Sequence, residues 1–120
     1  MKDLTVDGFT EFTDKKGFIT EDPIVSITSG GRIGFNKKAF RDYLSGYKYI
    51  KLYYNSEKKV IALQGTNTET PNTYPIKRNK SSETGYINSK SFMTYFGIKN
   101  LKKKVKAEWD QEAEAFLVQI

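Results

Sequence analysis

Twenty lysines and arginines, with no histidine and no cysteine, define the chemistry open to this 120-residue chain. Without histidine, neither a Ser-His-Asp triad nor a histidine-ligated zinc can be built. Without cysteine, thiolate nucleophiles and disulfides are excluded. What remains is the chemistry of cations. Arg32 follows Ser29-Gly30-Gly31, and Arg41 lies on a predicted helix. An arginine can hold guanine or phosphate through two parallel hydrogen bonds. Lys37 and Lys38 fall in the first turn of that helix. The helix dipole disfavours cations there, so their placement suits a bound phosphate better than helix stability. Lys77-Arg78-Asn79-Lys80 and Lys102-Lys103-Lys104 are the densest basic clusters. Such clusters give phosphate affinity and salt dependence rather than base reading, and each also fits a solvated face.

Two further groups have chemical potential. Tyr47, Tyr49, Tyr53 and Tyr54 interleave with Lys48 and Lys51. Period-two alternation puts Tyr49, Lys51 and Tyr53 on one strand face and Ile50, Leu52 and Tyr54 on the other. An open aromatic and basic face can stack unpaired bases, although tyrosine is equally a good strand former. Glu108, Asp110, Glu112 and Glu114 are spaced as a catalytic pair or a divalent-ion site would be, with a solvated hairpin tip as the simpler reading. No nucleophile, base and metal set converges, so neither an enzyme nor a cofactor is expected.

The elements that must position these residues recur along the chain. Residues 23–44 and 75–96 share 7 identities in 22 positions at an offset of 52. They include Pro23/Pro75, Asn36/Asn88, Phe40/Phe92 and Tyr43/Tyr95. At an offset of 55 the match resumes, with residues 49–63 lying on 104–118. Each copy reads as strand, helix, strand, hairpin, strand. Asn36 and Asn88 are suited to cap the helices, because an asparagine side chain can accept a free helical N–H. Phe40, Tyr43 and Leu44, and then Phe92, Tyr95 and Phe96, form the apolar helix faces, and Ser45-Gly46 and Gly97 stop them. The expected organisation is an acidic hairpin or tail over 1–22, a first repeat over 23–64, a linker over 65–73 and a second repeat over 74–120. A repeat of about 40 residues buries too little surface alone, so both copies are expected to share one core.

Charge follows the same division. Residues 1–23 hold three lysines against six carboxylates, residues 24–65 eight cations against two, and residues 66–120 nine against six. The positive field therefore belongs to the repeats, and such fields attract phosphate backbones or anionic surfaces. No apolar run reaches the ~18 residues of a membrane span, and MKDLTVDGF lacks the apolar core of a secretory signal, so a cytoplasmic home is expected.

Ile27-Thr28-Ser29-Gly30-Gly31-Arg32-Ile33-Gly34-Phe35, followed by a short helix, resembles the AbrB/SpoVT type of swapped-hairpin domain. In the second copy, Tyr95-Phe96-Gly97-Ile98-Lys99-Asn100 followed by KKKVKAEW resembles a later stretch of that family. Two such units in one chain resemble the organisation of MraZ-like proteins. The resemblance implies an α+β, mostly β fold: a tandem β-α-β-β repeat forming a pseudo-symmetric swapped-hairpin-like barrel with two short helices. It implies a DNA-binding transcription regulator, monomeric as a pseudo-dimer or homodimeric, with Arg32 and Arg41 approaching duplex DNA. The sequence departs from the family at Asn36 and Asn88, where a proline is usual. In the second copy Glu83-Thr84 and Met93 stand where Gly31-Arg32 and Arg41 stand in the first. Binding to single-stranded nucleic acid, or to a protein as an antitoxin-like or phage-encoded inhibitor does, are the alternative expectations.

Overall fold

The computed structural model describes residues 22–28, 30–98 and 102–120. The hairpin expected within residues 1–22 and the Lys99-Asn100 part of the family-like stretch lie outside the described residues. Strands β1 (Ile24–Ile27) and β2 (Arg32–Phe35) lead into helix α1, which is α-helical over Lys37–Ala39 and widens into a π-turn over Phe40–Leu44. Strands β3 (Tyr49–Asn55), β4 (Val60–Thr66), β5 (Thr73–Pro75), β6 (Lys77–Asn79) and β7 (Thr84–Asn88) follow. Helix α2 (Lys90–Tyr95) and strands β8 (Lys103–Lys106), β9 (Glu108–Asp110) and β10 (Ala115–Gln119) complete the chain.

The fold is α+β and mostly β, built from two five-stranded antiparallel sheets. Sheet A has the order β6-β7-β2-β1-β8, and sheet B the order β5-β3-β4-β10-β9. The expected barrel is not what forms. The chain bends at Ile76 to pass from β5 in sheet B to β6 in sheet A, and again at Ala107 to pass from β8 in sheet A to β9 in sheet B. Both corner side chains are buried. Strands that switch sheets at bends in this way tie two packed sheets together without a closed hydrogen-bond ladder.

Alternation makes the core. Val25, Ile27, Ile33, Phe35 and Ile87 point inward from sheet A, and Ile50, Ile61, Leu63, Phe116 and Val118 from sheet B. Burying each large side chain contributes about 1.5–3 kcal/mol. Tyr43 of α1 joins Trp109 and Phe116 in an aromatic triangle with ring centroids 5.0–5.2 Å apart. Both central pairings have a notable register. In β2–β7, Gly34 faces Tyr86, which lies 52 residues on, and in β4–β10, Ala62 faces Leu117, which lies 55 residues on.

The helices differ. Asn36 caps α1 as expected, its Oδ1 accepting from the Ala39 N–H at 2.9 Å. Asn88 does not cap α2. It remains in β7 opposite Arg32, so the helix starts later, with Ser89 at the cap position. Ser89 turns its hydroxyl instead to the Gly31 carbonyl, donating at 2.7 Å, and its N–H donates there at 2.8 Å. The apolar face of α2 also departs from expectation. Phe92 and Met93 are buried, whereas Tyr95 and Phe96 are exposed. The π-turn of α1 rotates Tyr43 and Leu44 onto the core, and α2 has no such widening. Gly97, at φ +67°, stops α2 as expected. Its N–H bonds Thr94 O and the Ile98 N–H bonds Met93 O, the paired closure of a Schellman motif.

Gly31 is the tightest contact between the β1–β2 turn and α2. Its φ is +85°, and a Cβ there would lie 2.8 Å from Lys90 Cα. A left-handed residue with a side chain costs about 1–2 kcal/mol before any clash. Gly31→Ala is therefore expected to lower the unfolding free energy by about 2 kcal/mol or more in urea titration. Gly30→Ala, with nothing within 4 Å of the added carbon, should stay within about 0.5 kcal/mol of wild type.

Candidate nucleic-acid interface

Sheet A has one face on the core and one outside. Residues opposite the buried positions of each strand share the outer face. Register lines up Lys104, Ser26, Gly34, Tyr86 and Lys77 in one row across all five strands. Lys106 pairs with Ile24 on one side of that row, and Arg32 with Asn88 on the other. Four inter-strand steps of about 4.8 Å make the row about 19 Å wide. None of the strand residues on this face is a carboxylate. Arg32 lies over the Tyr86 ring, 4.1 Å from its centroid. Ser26, Gly34 and Thr84 keep the centre of the face low. At its margin Lys106 meets Asp22, N to O 3.1 Å.

Of the cations singled out in the sequence, Arg32, Lys77 and Lys104 are brought together here. Lys80 is exposed in the β6–β7 turn, and Lys102 is exposed just before β8. Lys103 alternates to the side opposite Lys104. Lys37 is half-buried at the start of α1. Two others are occupied within α1. The Arg41 Nε donates to Asp42 Oδ1 at 2.9 Å, and Lys38 Nζ lies 2.6 Å from Asp42 Oδ2. Hydrogen bonds from Arg41 and then Lys38 hold the Asp42 carboxyl down at about 2, from an ordinary 3.8. The same bonds push both cations up.

Arg78 turns away from its neighbours. It pairs with Gly85 on the inward side of sheet A, its guanidinium 5.0 Å from the Phe40 ring centroid. It donates to the carbonyls of Ser45, at 3.3 Å, and Tyr47. These carbonyls belong to the chain leaving α1, so Arg78, although exposed, has its guanidinium engaged in tying down that segment.

Two residues of the face were not singled out from sequence, Lys106 and Tyr86. The alternation Lys104-Val105-Lys106 was a sufficient signal for the first. Tyr86 needed the β2–β7 pairing, which no local pattern announces.

The remaining groups fall as follows. Tyr49, Lys51 and Tyr53 occupy the outer face of sheet B, and Tyr54 packs inward against Phe96 and Phe92. The Tyr53 hydroxyl donates to Gln64 Oε1 at 3.1 Å. In the acidic cluster, Asp110 Oδ1 accepts from the Glu112 and Ala113 N–H groups, fixing the turn. Among the described residues no three carboxylates come close enough to hold a metal ion.

Comparison with known proteins finds no family model, no curated protein and no solved structure that matches this chain.

Two outcomes follow from the paired cations. Arg78→Ala is expected to cost about 1–3 kcal/mol in thermal or urea unfolding, the usual worth of charge-assisted bonds. Arg78→Lys should not restore it, because an ammonium cannot reach two carbonyls and lie flat on a ring. For Asp42, a carboxyl depressed on folding stabilises fully above its unfolded value of about 4. That contribution is lost as pH falls through about 2. The stability difference between wild type and Asp42→Asn should thus narrow below pH ~4 and close near pH ~2. A difference that stays constant over that range would contradict the assigned pairing.

Proposed function

We propose that this chain binds nucleic acid, duplex DNA in preference to single strands, through the outer face of sheet A. The observation that carries this reading is the row from Lys104 to Lys77, with Arg32 and Lys106 beside it and no strand carboxylate among them. A face about 19 Å wide exceeds the ~12 Å major groove. It therefore lies across the backbones rather than entering the groove, and its lysines contact phosphates. Arg32, placed over Tyr86 near the centre, is the residue suited to base reading.

The same reading accounts for the unequal copies. We infer that residues 23–120 are a duplicated unit in which both copies complete a single face within one chain. The self-matching registers at Gly34/Tyr86 and Ala62/Leu117 support this. So do the left-handed backbones at Gly31 and Glu83, 52 apart, and at Lys59 and Glu114, 55 apart. An isologous pairing places equivalent residues opposite each other on its axis. The face straddles that axis, so Arg32 from one copy and Lys77 and Lys104 from the other need no counterparts. The resemblance of the Gly31-Arg32 segment to AbrB/SpoVT-type domains supports the same reading and extends it to transcription regulation.

Three phosphate contacts, from Lys77, Lys104 and Lys106, predict that affinity for a duplex falls about 40-fold between 50 and 200 mM salt. The triple variant Arg32→Ala, Lys77→Ala, Lys104→Ala should flatten the log–log slope by about 1.8, through its two lysines. Arg41→Ala, whose cation is already held by Asp42, should change it little. A triple variant with the wild-type slope would exclude this face, and tighter binding to a single strand would exclude the duplex preference.

A further inference from the structure

Among the described residues only three large hydrophobic side chains are exposed, and all three line one groove. Tyr95 is 80% exposed, Tyr53 51% and Phe96 40%. The groove runs between α2, β3 and the segment leading into β5, with a volume of about 670 Å³. Tyr74 and Phe92 form its wall, and Lys51 is the one charged residue that lines it. Phe96 is fixed edge-on by Tyr54, Phe92 and Tyr95, with centroids 4.9–5.1 Å apart. Its ring geometry is thus set before anything binds. Isolated exposed aromatics are ordinary on a surface, but convergence of every one of them marks a contact surface.

We propose that residues 1–21 of the same chain dock in this groove. The chemistry of that segment matches the groove better than it matches any other surface described. It carries Phe9, Phe12 and Phe18, and five carboxylates against three lysines. Glu11 and Asp14 flank Phe12 in sequence, so a phenylalanine on the ring cluster brings a carboxylate within range of Lys51. No lining residue is acidic, so nothing in the groove repels it. The basic face of sheet A attracts the same charge but offers the phenylalanines only the half-buried Ile24, with Ser26, Gly34 and Thr84, beside one tyrosine already covered by Arg32. Reach is sufficient. From Asp22, 21 extended residues span up to about 70 Å, against a radius of gyration of ~13 Å for a domain of about 100 residues.

Docking would leave the acidic segment clear of the nucleic-acid face, so this inference does not rest on the proposed function. The absence of cysteine allows a clean test in the full chain. Thr10→Cys and Thr13→Cys are introduced in turn, each with Asn72→Cys on the groove rim or with Ser26→Cys on the basic face, and are oxidised by added oxidised glutathione. An intramolecular disulfide is expected with Asn72→Cys for at least one position, about tenfold faster than with Ser26→Cys, because docking raises the effective concentration. Adding Tyr95→Ser and Phe96→Ser should abolish that advantage. Equal or faster closure with Ser26→Cys would overturn the proposal. So would disulfides formed only between chains, which would mean a second copy fills the groove, or no disulfide with Asn72→Cys at any position.

Discussion

The antiparallel pairing of β2 with β7 is the constraint from which the rest of the structure follows. Neither half of the chain has enough apolar surface to fold alone, since about 40 residues bury too small a fraction of their area. Placing Ile33 against Ile87 puts two buried side chains on the same face and joins the halves through the middle of sheet A. The β4–β10 pairing does the same for sheet B, with Ile61 beside Val118 and Leu63 beside Phe116. Once both sheets are shared, their edges must be carried from one to the other, which the bends at Ile76 and Ala107 achieve. The helices then close against the turns. Gly31 is the contact point, because only a residue without a side chain fits beside the Lys90 backbone.

The same pairing creates the basic face. It draws Arg32 to Tyr86 and sets Lys77 and Lys104 at opposite ends of one row. A one-residue difference in register decides which cation faces out. Lys77 aligns with the buried Val25, yet it pairs with Tyr86 rather than with Ile87, because four residues (80–83) separate the paired Asn79 and Thr84, one fewer than the five (28–32) between Ile27 and Ile33. Side chains alternate with period two, so that shift sends Lys77 to the outer face and Arg78 inward to Phe40 and the carbonyls after α1.

Several local signals in the sequence are found in the structure, although the expected Tyr95 and Phe96 face of α2 is not. The Asn36 cap, the Gly97 stop and the inward aromatic Tyr43 each depend on neighbours within a turn or two, and each is found. The split of β3, Tyr49, Lys51 and Tyr53 outward and Tyr54 inward, is a property of alternation alone. Asn88 was expected to cap α2 by analogy with Asn36, but Arg32, distant in sequence, keeps it in the sheet. Arg41 and Lys38 read as open cations until Asp42, next to the one and a turn of helix beyond the other, takes both. Arg78 reads as part of a basic cluster, and only the shifted hairpin reveals its inward role. The sheets do not close into a barrel for a similar reason: bends at single buried residues, Ile76 and Ala107, leave no periodic trace.

The proposal that most needs testing is that one face of sheet A, completed by both halves, holds the nucleic acid. Amide NMR titration of the full chain with a short duplex at low salt addresses it most directly. The shifted resonances are expected to cluster at Ser26, Arg32, Gly34, Tyr86 and Lys104, with sheet B unchanged. Shifts concentrated instead on Tyr49, Lys51 and Tyr53, or on α1 around Arg41, would contradict it.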